Sequence, residues 1–301
     1  MTDWIVWFGE LTHPRRLRVR GSLFLSGSLF WLSAGLTAPM LVLVFMAFAR
    51  RSPYGEIIWN ISPENFLRLA GFGAFGWTAD YLWILARSAW MASVTTLLSV
   101  GIAYPLAFWI ALRPPRTRNL WFALVVIPFC TNLVIRTYAW MLILSNQMPP
   151  ARFLQWLGWL APEAALYPGA GAVFLGMVAS SLPFAALPIY TNVERLDWSL
   201  VEAAQDLYGG RWAVFRHAIF AQTQPGLLAG IILTFIPAMG AFVVPDLLGG
   251  ARTWLVGNLI QQQFGPSRDW PFGAAVSLGL MVLTLAGLFL LRRLEAAHRE
   301  T

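Results

Sequence analysis

The stretch Ser88 to Leu112, SAWMASVTTLLSVGIAYPLAFWIAL, contains no charged side chain. It exceeds the roughly 20 apolar residues that a helix needs to cross a bilayer. Hydrocarbon offers no partner to a free backbone N–H or C=O, so such a segment must bond to itself as a helix. The same pattern recurs along the chain. Gly21 to Ala49, Gly169 to Val193, Ala218 to Pro245 and Pro271 to Leu291 are also charge-free, and Leu120 to Gln147 is interrupted only by Arg136. Six spans are expected, at about 21–49, 82–112, 120–147, 169–193, 218–248 and 271–292. They form one transmembrane domain over 21–293, between an N-terminal segment 1–20 and a tail 294–301. The fold class is all-α membrane protein.

Composition agrees. The 301 residues are 58% hydrophobic, 15% aromatic and only 12% charged, with mean hydropathy +0.62. Soluble domains carry about 25% charged residues. The one cysteine, Cys130, lies in an apolar stretch and has no intramolecular partner. The formal charge of +7 rests on 21 basic residues, all of them arginine. No stretch joins that charge to a recognition motif, so nucleic acid is not an expected partner. Without lysine the chain cannot carry a Gly-Lys-Ser/Thr phosphate loop.

Arginine placement orients the spans, because cytoplasmic loops are enriched in basic residues. With the N-terminus inside, thirteen arginines fall on the cytoplasmic side and six on the other. Both termini are therefore expected in the cytoplasm. The basic run Arg15 to Arg20 leads into a span too long for a cleaved signal of about 7–15 apolar residues. Trp77, Trp83, Trp109, Trp121, Trp254 and Trp270 lie near span ends, where aromatic rings favour the headgroup layer.

The longest polar stretch of cytoplasmic character runs LDWSLVEAAQDLYGGRWAVFRHA from Leu196 to Ala218. Ser199 and Glu202 have capping-box spacing, which predicts a helix start. Leu200, Ala203, Ala204 and Leu207 then share a face. Gly209 and Gly210 stop the helix, and Trp212 opens a second run that feeds span five. The residue pattern alone leaves an ordinary intracellular loop as an equal reading.

Glu202-Ala203-Ala204, Asp206, Leu207, the glycine pair, Phe215 and Pro225-Gly226 resemble the EAA loop of ABC importer permeases. Tyr208 stands where that loop usually has glycine, and Ala221 where it often has proline. Ile127-Pro-Phe-Cys-Thr-Asn-Leu-Val-Ile-Arg-Thr-Tyr-Ala-Trp resembles the spermidine/putrescine branch. So do Pro237-Ala-Met-Gly-Ala-Phe-Val-Val-Pro-Asp-Leu-Leu-Gly-Gly and Arg268-Asp-Trp-Pro-Phe-Gly-Ala-Ala. The resemblance runs from about Asn65 to the end of span six. It implies a six-helix type I permease in the bacterial inner membrane, with a cytoplasmic coupling helix over 197–211. ATPase-coupling residues would be Ser199, Glu202, Ala203, Ala204, Asp206, Leu207, Gly209 and Gly210. Implied partners are two copies of an ATPase subunit, which alone would hold ATP and Mg²⁺. A second homologous permease and a periplasmic or extracellular substrate-binding protein would complete the importer. No cofactor, catalytic group or metal is expected on this chain.

Candidate pathway residues are Asn132, Arg136, Tyr138, Trp140, Phe242 and Asp246. A charge within a span is a functional candidate by default. Arg136 repels a cation, so it either shapes the cavity through an ion pair or helix-end contact, or binds an anionic substrate. Asp246 could pair with an ammonium group aided by Tyr138, Trp140 and Phe242, or could cap its turn or bond Arg252. Asp269 is expected to pair with Arg268 or to meet the binding protein. Alternatives in function are a permease for another amine, opine or small organic ion, or a standalone secondary transporter. The last would need acidic residues within the spans, and the six apolar stretches hold none.

Overall fold

The computed structural model describes residues 14–52, 55–73, 76–208, 210–250 and 253–299. Six segments cross between two opposite faces. The first is α1 (Pro14–Phe48), followed by two two-stranded hairpins, β1–β2 (Arg50–Arg51, Ile57–Ile58) and β3–β4 (Phe72–Gly73, Gly76–Trp77), around the short α2 (Glu64–Leu69). Helix α3 (Asp80–Ala111) is the second span. Thus the segment expected over 1–20 is already helical from Pro14; residues 1–13 lie outside the described residues.

The single helix expected over 120–147 is a correction. It is broken into α4 (Pro115–Val126), a 3₁₀ turn (Ile127–Cys130) and α5 (Leu133–Ile143), bent by 99°. Pro128 cannot donate to an α-helical ladder, and Asn132 opens a new helix by accepting from the Val134 amide at 2.8 Å. The broken element still crosses. Near its start, Arg118 pairs with Glu194 at the end of α7 (Ala170–Glu194) at 2.9 Å. At its far end the Leu144 carbonyl accepts from the amide of Leu166, just before α7 begins, at 3.0 Å. Since α7 is long enough to span, its two ends mark the two faces.

Between these elements lies α6 (Pro149–Trp156). After α7 come α8 (Trp198–Tyr208), α9 (Arg211–Val214) and a π-helical turn (Phe215–Phe220), which leads into α10 (Ala221–Met239). Span five also ends earlier than expected. Gly240 closes α10, and α11 (Val243–Gly249) starts separately. The chain finishes with α12 (Val256–Phe264) and α13 (Trp270–Arg299).

The centre is α3, α7 and α10, packed through small residues. A Cβ on Gly226 would fall 2.4 Å from Cβ of Asn192 and 2.9 Å from the Pro188 carbonyl. One on Gly230 would fall 3.1 Å from the Ala185 carbonyl. This Gly-x-x-x-Gly face lets two backbones touch, which is how helices associate where lipid tails compete with apolar side chains. One half of the core gathers Met91, Val173, Met177, Met239 and Leu248; the other gathers Ala103, Ala107, Ala185, Ile189 and Tyr190. Helix α1 leans on α13 at the edge and turns Phe30, Trp31, Leu36 and Phe45 outward.

Candidate functional site

Three places bear on function: a helix projecting from one face, a cavity among the spans, and a polar layer on the opposite face.

The projecting helix is α8. Asp197 stands immediately before it and accepts from the Ser199 amide at 2.9 Å and the Ser199 hydroxyl at 2.7 Å. Asp197 is therefore the cap, two residues ahead of the expected Ser199. The Ser199 amide is already taken, so the expected return bond from Glu202 does not form. Those hydrogen bonds, the Ser199 hydroxyl first, hold the Asp197 carboxyl below its usual range. Asp is among the best N-caps, and this is the signal that would have placed the start correctly.

Val201 and Ala204 turn inward onto Leu196, Val214 and Ala218. Ser199, Glu202, Ala203, Asp206 and Leu207 face outward, with Leu207 79% exposed and Leu200 53% exposed. The face expected from the sequence is thus split: Ala204 anchors the helix, while Leu200, Ala203 and Leu207 form an apolar stripe toward solvent. Trp212, also exposed, extends it past Gly210; Gly209 lies outside the described residues. The base of α8 is tied to span five. The Gln222 side-chain carbonyl accepts from the Asp197 amide at 3.0 Å, and its NH₂ donates to the Asp197 carbonyl at 3.3 Å.

The cavity, of about 340 Å³, lies between α5, α7 and the break after α10. Of the expected pathway residues it brings together Arg136 and Phe242, adding Phe129, Ser180, Ser181 and Phe184. Among its lining residues there is no carboxylate. Arg136 donates from Nη2 to the Thr131 carbonyl at 3.0 Å, across the bend. Its Nε is buried without a hydrogen-bond partner. The helix-end contact anticipated for Arg136 is therefore present. Asn132 caps α5, Tyr138 is exposed, and Trp140 packs on the core cluster. Asp246 is exposed in the first turn of α11. None of these four lines the cavity. Ser180-Ser181, a polar pair inside a span, was the overlooked signal.

On the opposite face, Asp269 is buried and pairs with Arg68 at 2.8 Å, not with its neighbour Arg268. Its other oxygen accepts from the Phe272 amide at 3.3 Å, capping α13. The Arg68 guanidinium lies over the Phe272 ring, 4.1 Å from its centre. Asn65 donates to the Ala47 and Ala49 carbonyls, each at 2.8 Å, and so fixes the end of α1. Among the described residues no group of His, Cys, Asp and Glu is arranged to hold a metal ion.

An apolar helix bundle with a capped, solvent-facing amphipathic helix between its fourth and fifth spans is the build of an importer permease. Residues 103–300 match the family described as binding-protein-dependent transport system inner membrane component, and the chain belongs to that family. It is 36% identical over 261 residues to the spermidine/putrescine transport system permease protein PotB of Escherichia coli, covering 87% of this chain and 92% of that one. The inner membrane ABC transporter permease protein YdcU of the same organism is 30% identical over 91% of this chain and 89% of its own. In fold the chain is similar to a bacterial ABC transporter involved in import of the acidic polysaccharide alginate, with a TM-score of 0.67 over 97% of this chain and 98% of that one at 15% identity. The protein is a multi-pass inner-membrane transport component.

Proposed function

We propose that this chain is a permease subunit of an ATP-driven importer for a polyamine of the spermidine/putrescine kind. The likeness to PotB over most of both chains carries the reading. The reading places ATP and Mg²⁺ on a separate ATPase, present in two copies, and both termini in the cytoplasm. A second, homologous permease would complete the pathway, and a substrate-binding protein would deliver the cargo. The outward stripe of α8, with Glu202, Ala203, Asp206 and Leu207, would dock the ATPase. Arg136 and Phe242 would line the route.

The cavity chemistry suits passage rather than storage. Phe129, Phe184 and Phe242 line the cavity, and an aromatic face turned to an organic cation is worth about 0.5–2 kcal/mol. Arg136 repels it. Affinity would then reside in the binding protein. A second reading, favoured by Arg136 as the one charged residue among the described residues lining the cavity, is a carboxylate-bearing substrate held by that arginine.

Uptake of radiolabelled spermidine into cells carrying the full importer tests both. Wild-type chain should import spermidine, and Arg136→Gln should retain or raise uptake. No spermidine import by wild type rejects the polyamine reading. If the carboxylate reading is right, Arg136→Gln loses more than about tenfold of carboxylate uptake, the scale of one charge-assisted bond. Leu207→Asp should abolish capture of the ATPase during purification; undiminished capture would reject the docking role of α8.

A further inference from the structure

Besides the apolar packing of Val201 and Ala204 around Val214, Ala218 and Phe108, two bonded routes lead from α8 into the spans. The covalent route passes residues 209–210, then α9, then the π-helical turn Phe215–Phe220 before reaching α10. π-turns interrupt the regular i→i+4 ladder and often mark functional positions. A displacement of α8 can be absorbed along that route. The second route is direct. Gln222, in the first turn of α10, brackets the backbone of Asp197 with both ends of its amide. Asp197 is the same residue whose carboxylate caps α8.

The next residue continues the connection. Thr223 is buried, and its hydroxyl lies 3.0 Å from the Ile219 carbonyl and 2.8 Å from the Tyr104 hydroxyl of α3. A hydroxyl has one proton to give. With Thr223 donating to Ile219, Tyr104 donates to Thr223, and both groups are satisfied. Tyr104 also meets the rings of Phe108 and Phe215 at 5.1 and 6.5 Å. The cap of α8, the start of span five and the inner half of span two are thereby linked through two adjacent side chains.

We propose that Gln222 is a positioning residue that passes movement of α8 into spans five and two, bypassing the π-turn. The inference rests on the reading of α8 as the ATPase-docking helix. A hydrocarbon side chain here would leave the Asp197 amide and carbonyl to water and the mechanical link to the longer route. Assembly does not need the link, since the outward stripe of α8 is unaltered by it. Conversion of ATP hydrolysis into transport does.

The test uses the complete importer in proteoliposomes, with Gln222→Met and Gln222→Glu beside wild type. Gln222→Met keeps side-chain length and removes both hydrogen bonds; Gln222→Glu keeps the acceptor for the Asp197 amide. The measured quantities are ATPase capture, ATP hydrolysis, and spermidine transported per ATP. Gln222→Met should capture ATPase as wild type does, while spermidine per ATP falls about three- to tenfold, the scale of one or two neutral hydrogen bonds. Gln222→Glu should fall between. Unchanged transport per ATP in Gln222→Met overturns the assignment. So does loss of ATPase capture by that variant, which would make Gln222 a structural support alone. A wild-type chain that captures no ATPase overturns the docking reading itself, and this proposal with it.

Discussion

Asp197 holds its charge because the Ser199 hydroxyl and amide both bond to its carboxylate. Its folded value lies below the ordinary one, which is about 3.9 for an unfolded chain. The contribution to stability is therefore fully present above that ordinary value and is lost as pH falls through the lowered one. Hydrogen exchange checks this. Amides in the first turn of α8 should be protected at neutral pH relative to an Asp197→Ala variant, with no change in α7. The difference should vanish on acidification below the carboxylate range; equal exchange at neutral pH would reject the cap. The sequence offered Asp197 and Ser199 two residues apart, and both are good caps. Asp197 is further held by a tertiary contact, its amide and carbonyl both bonded by Gln222 of span five. Asp269 teaches the same lesson. Its partner Arg68 is 201 residues away, beyond any reading of neighbours, while adjacent Arg268 sits in the left-handed backbone region at φ 48°.

Among elements, the apolar spans were readable because charge and length alone determine which segments tolerate hydrocarbon. The bend in the third was not. Pro128 is one of many prolines within spans, and Pro183 and Pro188 lie in α7 without breaking it. Only the Thr131–Asn132 pair, with its ready-made cap, separates a break from a bend. The contact of α7 with α10 carries a sequence mark, Gly226-x-x-x-Gly230, that is meaningful once the two helices are known to touch. Gly226→Leu should cost about 1–3 kcal/mol through overpacking, read as a lower melting temperature of the purified chain. A Leu at Gly240, where a Cβ meets nothing within 4 Å, should cost less. Equal losses at both positions would show that close approach at Gly226 contributes nothing.

For the whole molecule, α1 is the least enclosed of the five unbroken spanning helices. An 18-residue apolar window within Ser26–Phe48 has none of its residues buried within the chain, so lipid or another subunit must cover it. Leu36, 65% exposed, lies near its middle. Leu36→Arg should add roughly 2.5–3.5 kcal/mol to insertion and lower the membrane-inserted yield, measured against Gly27→Arg near the start of the apolar stretch. Equal yields would place this helix outside the hydrocarbon. The break in the third span has a further consequence for anyone wishing to watch the protein work. Its 3₁₀ turn ends at Cys130, which is exposed, free, and the sole thiol of the chain. Its neighbour Phe129 lines the central cavity. A single labelling handle thus stands one residue from a cavity-lining side chain. A membrane-impermeant maleimide added from one side and then the other would report from which side Cys130 is reached in the native sequence, with no cysteine-free background to build.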